Sequence, residues 1–260
     1  MDLHKAIQLH KKMILEEKIP SVLYKHTSIS NNLYKSLINS ELWFSAPTSF
    51  NDPFDCQISD QTEWTDELIL EYVTKTSIAN GENIDPQMVV NLNQKNPGSF
   101  NEFFTRNFKK TLSTIGVTCF LQKPDNLLLW AHYSASHTGV CLKFDITQDP
   151  ELFALTFAVK YADKYPSFDY FKEREQLANK VILTKSNHWG YENEVRTLQK
   201  KSGSYPFNKS CLKEIIFGCN AAQSEIKTIR NIITSANYPD LKLRQVKLLN
   251  NAFDIEIVDI

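Results

Sequence analysis

The order of short apolar runs along the chain limits the fold more than any other feature. SVLYKHTS (21–28), ELWFSAP (41–47), GVTCFL (116–121), GVCLKFDI (139–146), LTFAVKY (155–161), YENEVRTLQ (191–199), KEIIFG (213–218), LKLRQVKLL (241–249) and FDIEIVDI (253–260) are rich in β-branched and aromatic residues and read as strands. Helical patterns fall between them unevenly. One covers 28–40, with Ser28 or Ser30 as cap and Leu33, Leu37 and Ile38 as its apolar stripe. Others cover 124–134, with Asp125 as cap, 168–184 and 221–236. A doubly wound α/β chain would place a helix after each strand. This spacing predicts an α+β fold instead: a mixed, mostly antiparallel sheet, open to being split, with peripheral helices.

Residues 62–112 differ in character. TEWTDELILEYVTKTSIA and SFNEFFTRNFKKTLS have helical periodicity and are separated by the turn-rich ANGENIDP and NQKNPGS. Their apolar stripes need a neighbouring sheet to cover them, so the expectation is a helical insertion within a single domain spanning 1–260. The first twenty residues, with Leu3, Ile7 and Ile14 at helical spacing, predict an amphipathic N-terminal helix over 1–20.

Several function classes are disfavoured. The chain has seven glycines, and none form GxGxxG or GxxxxGK[ST], so a Rossmann pyrophosphate turn and a P-loop are absent. A formal net charge of -1 leaves no overall electrostatic footprint for nucleic acid. No segment approaches the roughly 20 apolar residues of a bilayer span, and no membrane partner is expected. The five cysteines are odd in number and lack a CxxC pair. They read as free thiols in a reducing, cytoplasmic compartment, with Cys119 and Cys141 buried in strands. Oligomeric state has no signature.

Four stretches carry candidate chemistry. In HWGYENEVRTL, strand alternation puts Glu192, Glu194, Arg196 and Leu198 on one face. That face is either a solvated Glu–Arg ladder or two carboxylates turned into a cleft. YKHTS ends the first strand with His26 and Thr27. WAHYSASHTG crowds Trp130, His132, Tyr133 and His137 around a turn made by Gly139. There Trp130 reads as packing, and Tyr133 or a histidine as reaching a pocket. His132 and His137 are not at the i, i+4 spacing of a helical zinc pair, and no metal is expected. FNDPFD is strong turn chemistry in which Asp52 and Asp55 serve as caps or as paired acids.

In their order, LYKHTS, LWFSAPTSFNDPFD, LLLWAHYSASHTGVCLKFD and KSNHWGYENEVR resemble a bacterial family defined only as domain of unknown function 2971, from about residue 22 onward. More distantly the chain resembles ADP-ribosyltransferases. In that fold a first strand carries His or Arg, a helix follows, a second strand ends in a Ser/Tyr motif, and a late strand carries a catalytic Glu within E-x-E or Q-x-E. His26, the following helix, Ser45 and Glu192-x-Glu194 fall in that order. FSAPTS is only a loose echo of the usual Ser-Thr-Ser triplet.

The second resemblance implies a definite chemistry. NAD is the substrate, held in a split-sheet cleft, and cleavage of its nicotinamide–ribose bond builds positive charge on the ribose. Glu194 would stabilise that charge beside the 2′-OH, or Glu192 would take this essential role; otherwise Glu192 orients or activates the acceptor. His26, with Thr27 beside it, would hydrogen-bond the adenosine ribose. Ser45, Phe50 and Asn51 would line the NAD site, with Tyr133 or Phe50 stacking on nicotinamide. The acceptor is a protein, a nucleic acid or water, and a toxin or phage-defence effector is one role for such an enzyme. A non-catalytic ligand- or partner-binding module is the alternative. A metal-dependent phosphoesterase or nuclease using Asp52, Asp55, His132 and the glutamates is a third.

Overall fold

The computed structural model describes residues 2–60, 62–169, 173 and 176–260. Helix α1 (Leu3–Leu15) leads to strand β1 (Val22–Thr27), helix α2 (Asn31–Asn39), β2 (Glu41–Phe44) and β3 (Ser59–Asp60). Helices α3 (Asp66–Asn80), α4 (Pro86–Lys95) and α5 (Ser99–Leu112) follow. Then come β4 (Gly116–Leu121), α6 (Leu127–Tyr133), β5 (Val140–Asp145), β6 (Thr156–Ala158), β7 (Lys160–Ala162), β8 (Ser167–Phe168), a helix over Leu177–Ile182 and β9 (Thr184–Ser186). The chain closes with β10 (Glu194–Gln199), β11 (Gly203–Pro206), β12 (Leu212–Phe217), a helix over Gln223–Ser235, β13 (Lys242–Leu248) and β14 (Ile255–Asp259).

Among the described residues the main sheet has eight strands in the order β14-β13-β12-β5-β1-β4-β10-β6. Every adjacent pair is antiparallel except β12 with β13. The fold is α+β with a mixed, mostly antiparallel sheet. Short ribbons pair β2 with β11, β3 with β8 and β7 with β9.

The pairing of β1 with β4 shapes the molecule most. The two strands share one register pair, Tyr24 with Leu121, whereas β1 pairs with β5 along its whole length. Beyond that rung they part. Further along, Ser45 bridges Val117 through two backbone hydrogen bonds of 2.9 and 2.8 Å. Between rung and bridge the sheet has a window, spanned by Lys25, whose ammonium donates to the Cys119 carbonyl at 3.2 Å. Strands normally spend their main-chain groups on a neighbour, so a window must offer substitutes. Lys25 is one.

Alternation assigns the two faces. On one, Leu23, Phe120, Val195, Leu142 and Phe144 build a core with Leu33 and Leu37 of α2 and with Ile226 and Ile229 of the 223–235 helix. On the other, Val117 and Leu198 meet the helical segment 66–112, including Phe100, Phe104, Phe108 and Leu112 of α5. Those phenylalanines recur every four residues, so one helix face carries them all. Burying each contributes roughly 1.5–3 kcal/mol. Beside them, Trp130 of α6 packs on Cys141, Ile216 and Val246.

Several local expectations are corrected. The α1 stripe is rotated: Ala6 and His10 are buried, whereas Leu3 is 51% exposed. Ile38 in α2 is exposed, and Ser30 is its cap. Asn126, not Asp125, caps α6. LTFAVKY is two strands broken at Val159, because β6 joins β10 while β7 turns to β9. The helix expected over 168–184 is described only as Leu177–Ile182, with Phe168 and Thr184 in strands; residues 170–172, 174 and 175 lie outside the described residues. Helix α4, started by Asp85 and Pro86, stands within a stretch read as one helix, a linker and another helix.

Gly218 exists for close approach. A Cβ there would lie 2.0 Å from the His137 carbonyl oxygen, in the turn between α6 and β5. Backbone must shift to admit it, so Gly218→Ala is expected to destabilise by roughly 1–3 kcal/mol, read as a lower midpoint in urea. An unchanged midpoint would show that this turn yields freely.

Candidate active-site cleft

A cavity of about 760 Å³ opens through the window. Its walls come from distant stretches of the chain: the end of β1, the loop after β2, α6, β9 and the start of β10. His26, Thr27, Ser45, Phe50, Asn51, Tyr133, Glu192 and Glu194 all line it. The structure therefore brings together every residue singled out as catalytic or NAD-binding.

The two glutamates reach the cavity by different backbones. β10 begins at Glu194, so Glu192 is not in the expected strand; it ends a 3-10 turn over Asn187–Glu192. Ser186 caps that turn, its hydroxyl accepting from His188 N–H. Asn193 follows in the left-handed conformation, φ 46°, which Asn tolerates better than most residues. This kink turns Glu192 inward beside Glu194. The predicted sharing of a face by Glu194, Arg196 and Leu198 holds along β10, opposite Leu121, Cys119 and Val117 of β4.

Three carboxylates, two cations and the Tyr133 hydroxyl form one network. Lys185 of β9 donates to Glu192 Oε2 at 2.6 Å and to Glu194 Oε2 at 2.9 Å. Arg196 donates from Nε to Glu194 Oε1 at 2.7 Å. Its other nitrogens grip Asp55 as a fork, Nη2 to Oδ2 at 2.5 Å and Nη1 to Oδ1 at 3.1 Å, and Nη1 also reaches the Ile182 carbonyl at 2.5 Å. Tyr133 donates its hydroxyl to Glu192 Oε1 at 2.8 Å. The ion-paired side chains are at most 7% exposed, so these are not ladder contacts in water.

Three carboxylates thus face two cations. Burial alone would raise Glu194, but Arg196 and Lys185 outweigh it and hold the carboxyl down at about 2. Glu192 shares only Lys185, and burial raises it above the usual carboxylate range. Burial and the Glu192 charge push the Tyr133 hydroxyl up.

His26 sits across the cleft. Its Nδ1 lies 2.9 Å from Ser134 Oγ, and its ring stands edge-on to Trp130 at 4.6 Å. Burial, reinforced by His137, lowers it to about 3, so it is neutral. Its Nε2 is buried without a hydrogen-bond partner among the described residues. Phe50 lies under Arg196, with the guanidinium carbon 5.2 Å from the ring centroid. One face of Phe50 is therefore already covered, and Tyr133 meets Glu192 through its hydroxyl.

Sequence reasoning missed Lys185, Lys25 and Trp189. Trp189 donates to Asp52 Oδ2 at 2.7 Å, and its ring centroid lies 5.0 Å from Lys185 Nζ. A signal for Lys185 existed: KSNHWGYENEVR places a cation at each end of its acids, and burying two carboxylates demands more than one counter-charge. Asp52 and Asp55 are engaged by Trp189 and Arg196. Among the described residues no three His, Cys, Asp or Glu side chains gather as metal ligands.

A family model described as a protein of unknown function (DUF2971) matches residues 129–197. The matched stretch runs from α6 into β10 and contains Tyr133, Lys185, Glu192, Glu194 and Arg196; His26, Thr27, Ser45, Phe50 and Asn51 precede it. No curated protein and no solved structure matches the chain. Among the described residues no helix is long and apolar enough to cross a membrane.

Proposed function

We propose that the cleft binds NAD and cleaves its nicotinamide–ribose bond, as an ADP-ribosyltransferase-like enzyme. The observation that carries this reading is the convergence of His26, Tyr133, Glu192 and Glu194 on one cavity at a break between strands. The two carboxylates differ as a two-role site requires. Glu194, pinned and ionised, suits electrostatic stabilisation of the ribosyl cation. Glu192, raised and bonded to Tyr133, suits proton exchange with the acceptor. The C1′–N bond breaks with its electron pair leaving on nicotinamide. The acceptor hydroxyl then bonds C1′ and gives its proton to Glu192.

A second reading rests on a specific observation. Both oxygens of Glu194 are already held by Arg196 and Lys185, which suits a rigid, non-catalytic ligand cleft. One experiment separates the two: purified protein with NAD, scored for released nicotinamide and for melting temperature. NAD at 100 times its dissociation constant would stabilise by ~2.7 kcal/mol, or about 5–10 °C for a chain of this size. Release with a shift supports the enzyme. A shift without release leaves the binding module. Neither removes both.

A further inference from the structure

A second pocket of about 970 Å³ lies on the other side of Lys185. Its walls come from the turn after Asn51, the β7–β8 connection and the 3-10 turn before Glu192. Three aromatic rings face it: Phe54, 65% exposed, Tyr165, 45% exposed, and the half-buried Trp189. Rings gathered around one pocket form the kind of contiguous apolar patch that marks a ligand-binding groove.

The charged groups on these walls are mostly spent. Asp52 accepts from the Trp189 indole, Asp163 from the Asn187 amide, and Lys185 holds the two glutamates. What remains on offer is ring faces bordered by uncharged hydrogen-bonding groups such as the Ser167 hydroxyl and the Gln57 amide oxygen, with His188 and Lys164 at the edge. Flat apolar faces with an uncharged hydrogen-bonding edge describe a nucleobase. The volume is within the usual range for a small-ligand site.

We propose that this second pocket binds the base of a free nucleoside or nucleotide, stacked between Phe54, Tyr165 and Trp189. A free ligand fits better than a polymer, because a phosphate-tracking groove needs a row of cations and this wall offers Lys164 alone beyond the paired Lys185. The inference goes beyond the NAD reading and does not require it. The pocket shares Asn51 and Lys185 with the first cleft, so a ligand here would lie against the network that holds Glu192.

The test is calorimetric titration of the full chain with adenosine, guanosine, cytidine and uridine, and with a single-stranded oligonucleotide, all without NAD. At least one nucleoside is expected to bind, and Phe54→Ala and Tyr165→Ala should each weaken it roughly tenfold, the size of one lost base–aromatic stack. Both rings are exposed, so melting temperature should stay put and report folding independently. No nucleoside binding, or binding that both variants leave unchanged, overturns the proposal. Tight oligonucleotide binding with no nucleoside binding also overturns it, in favour of a polymer. Nicotinamide release is scored separately, so either idea can fail while the other stands.

Discussion

Arg196→Met is expected to cost roughly 3–5 kcal/mol of folding free energy, the usual penalty for removing one member of a buried ion network. The guanidinium is 0% exposed and touches Asp55, Glu194 and the Ile182 carbonyl. Without it Glu192 and Glu194 share Lys185 alone, and Asp55 keeps no cation partner among the described residues. Methionine fills the volume but neutralises nothing. Lysine is a poor replacement, because the fork that grips Asp55 needs a planar group with several donors. Adding Asp55→Asn and Glu194→Gln should recover part of the loss, since the stranded charges then disappear. Urea unfolding monitored by circular dichroism gives the numbers. A loss under about 1 kcal/mol for the single variant would mean that water reaches the network.

Glu192→Gln is expected to lower nicotinamide release by about 10²–10⁴-fold, the range for loss of one positioned acid–base group. Its folding free energy should change little by comparison. The amide keeps the shape of the side chain, and its oxygen can still accept from Lys185 or Tyr133. The wild-type rate carries a second signature. The Glu192 carboxyl is raised, chiefly by burial, so it accepts an acceptor proton only once ionised. Release should therefore climb with pH above the ordinary glutamate range, and the variant should lose that climb. Glu194→Gln is expected to damage stability as well as rate, because it removes the charge that both Arg196 and Lys185 hold. If Glu192→Gln turns over NAD at the wild-type rate with the same pH profile, Glu192 is not the proton carrier.

What the sequence made legible follows from range. GVTCFL and GVCLKFDI are dense apolar runs, and a local pattern was enough to place β4 and β5 as strands. Alternation also read the shared face of Glu194 and Arg196 correctly. It failed at Glu192, because Asn193 takes a left-handed conformation that no period-two pattern contains. Helix α4 escaped because Met88 and Leu92 are exposed and Val90 is its one buried residue among those described, leaving a faint stripe. Asn126 outcompeted Asp125 as a cap through a choice of one residue, finer than propensity resolves. The window was out of reach for a deeper reason. It depends on which strands become neighbours, and β1 meets β4 across 94 residues at Lys25 and Cys119.

The break between Tyr24–Leu121 and Ser45–Val117 has a mechanical meaning. An unbroken ladder resists spreading, because every increment of width stretches a row of backbone hydrogen bonds. Among the described residues, one rung and a lysine side chain tie the β14-to-β1 half to the β4-to-β6 half, while the Ser45 bridge anchors the end of β2 to β4. Backbone pairing is therefore thinnest along this seam. A guest entering that seam meets one lysine side-chain hydrogen bond instead of a backbone ladder. The acids stand on one bank and the histidine on the other, so a widening of the seam would change their separation and leave the spacing of the acids alone.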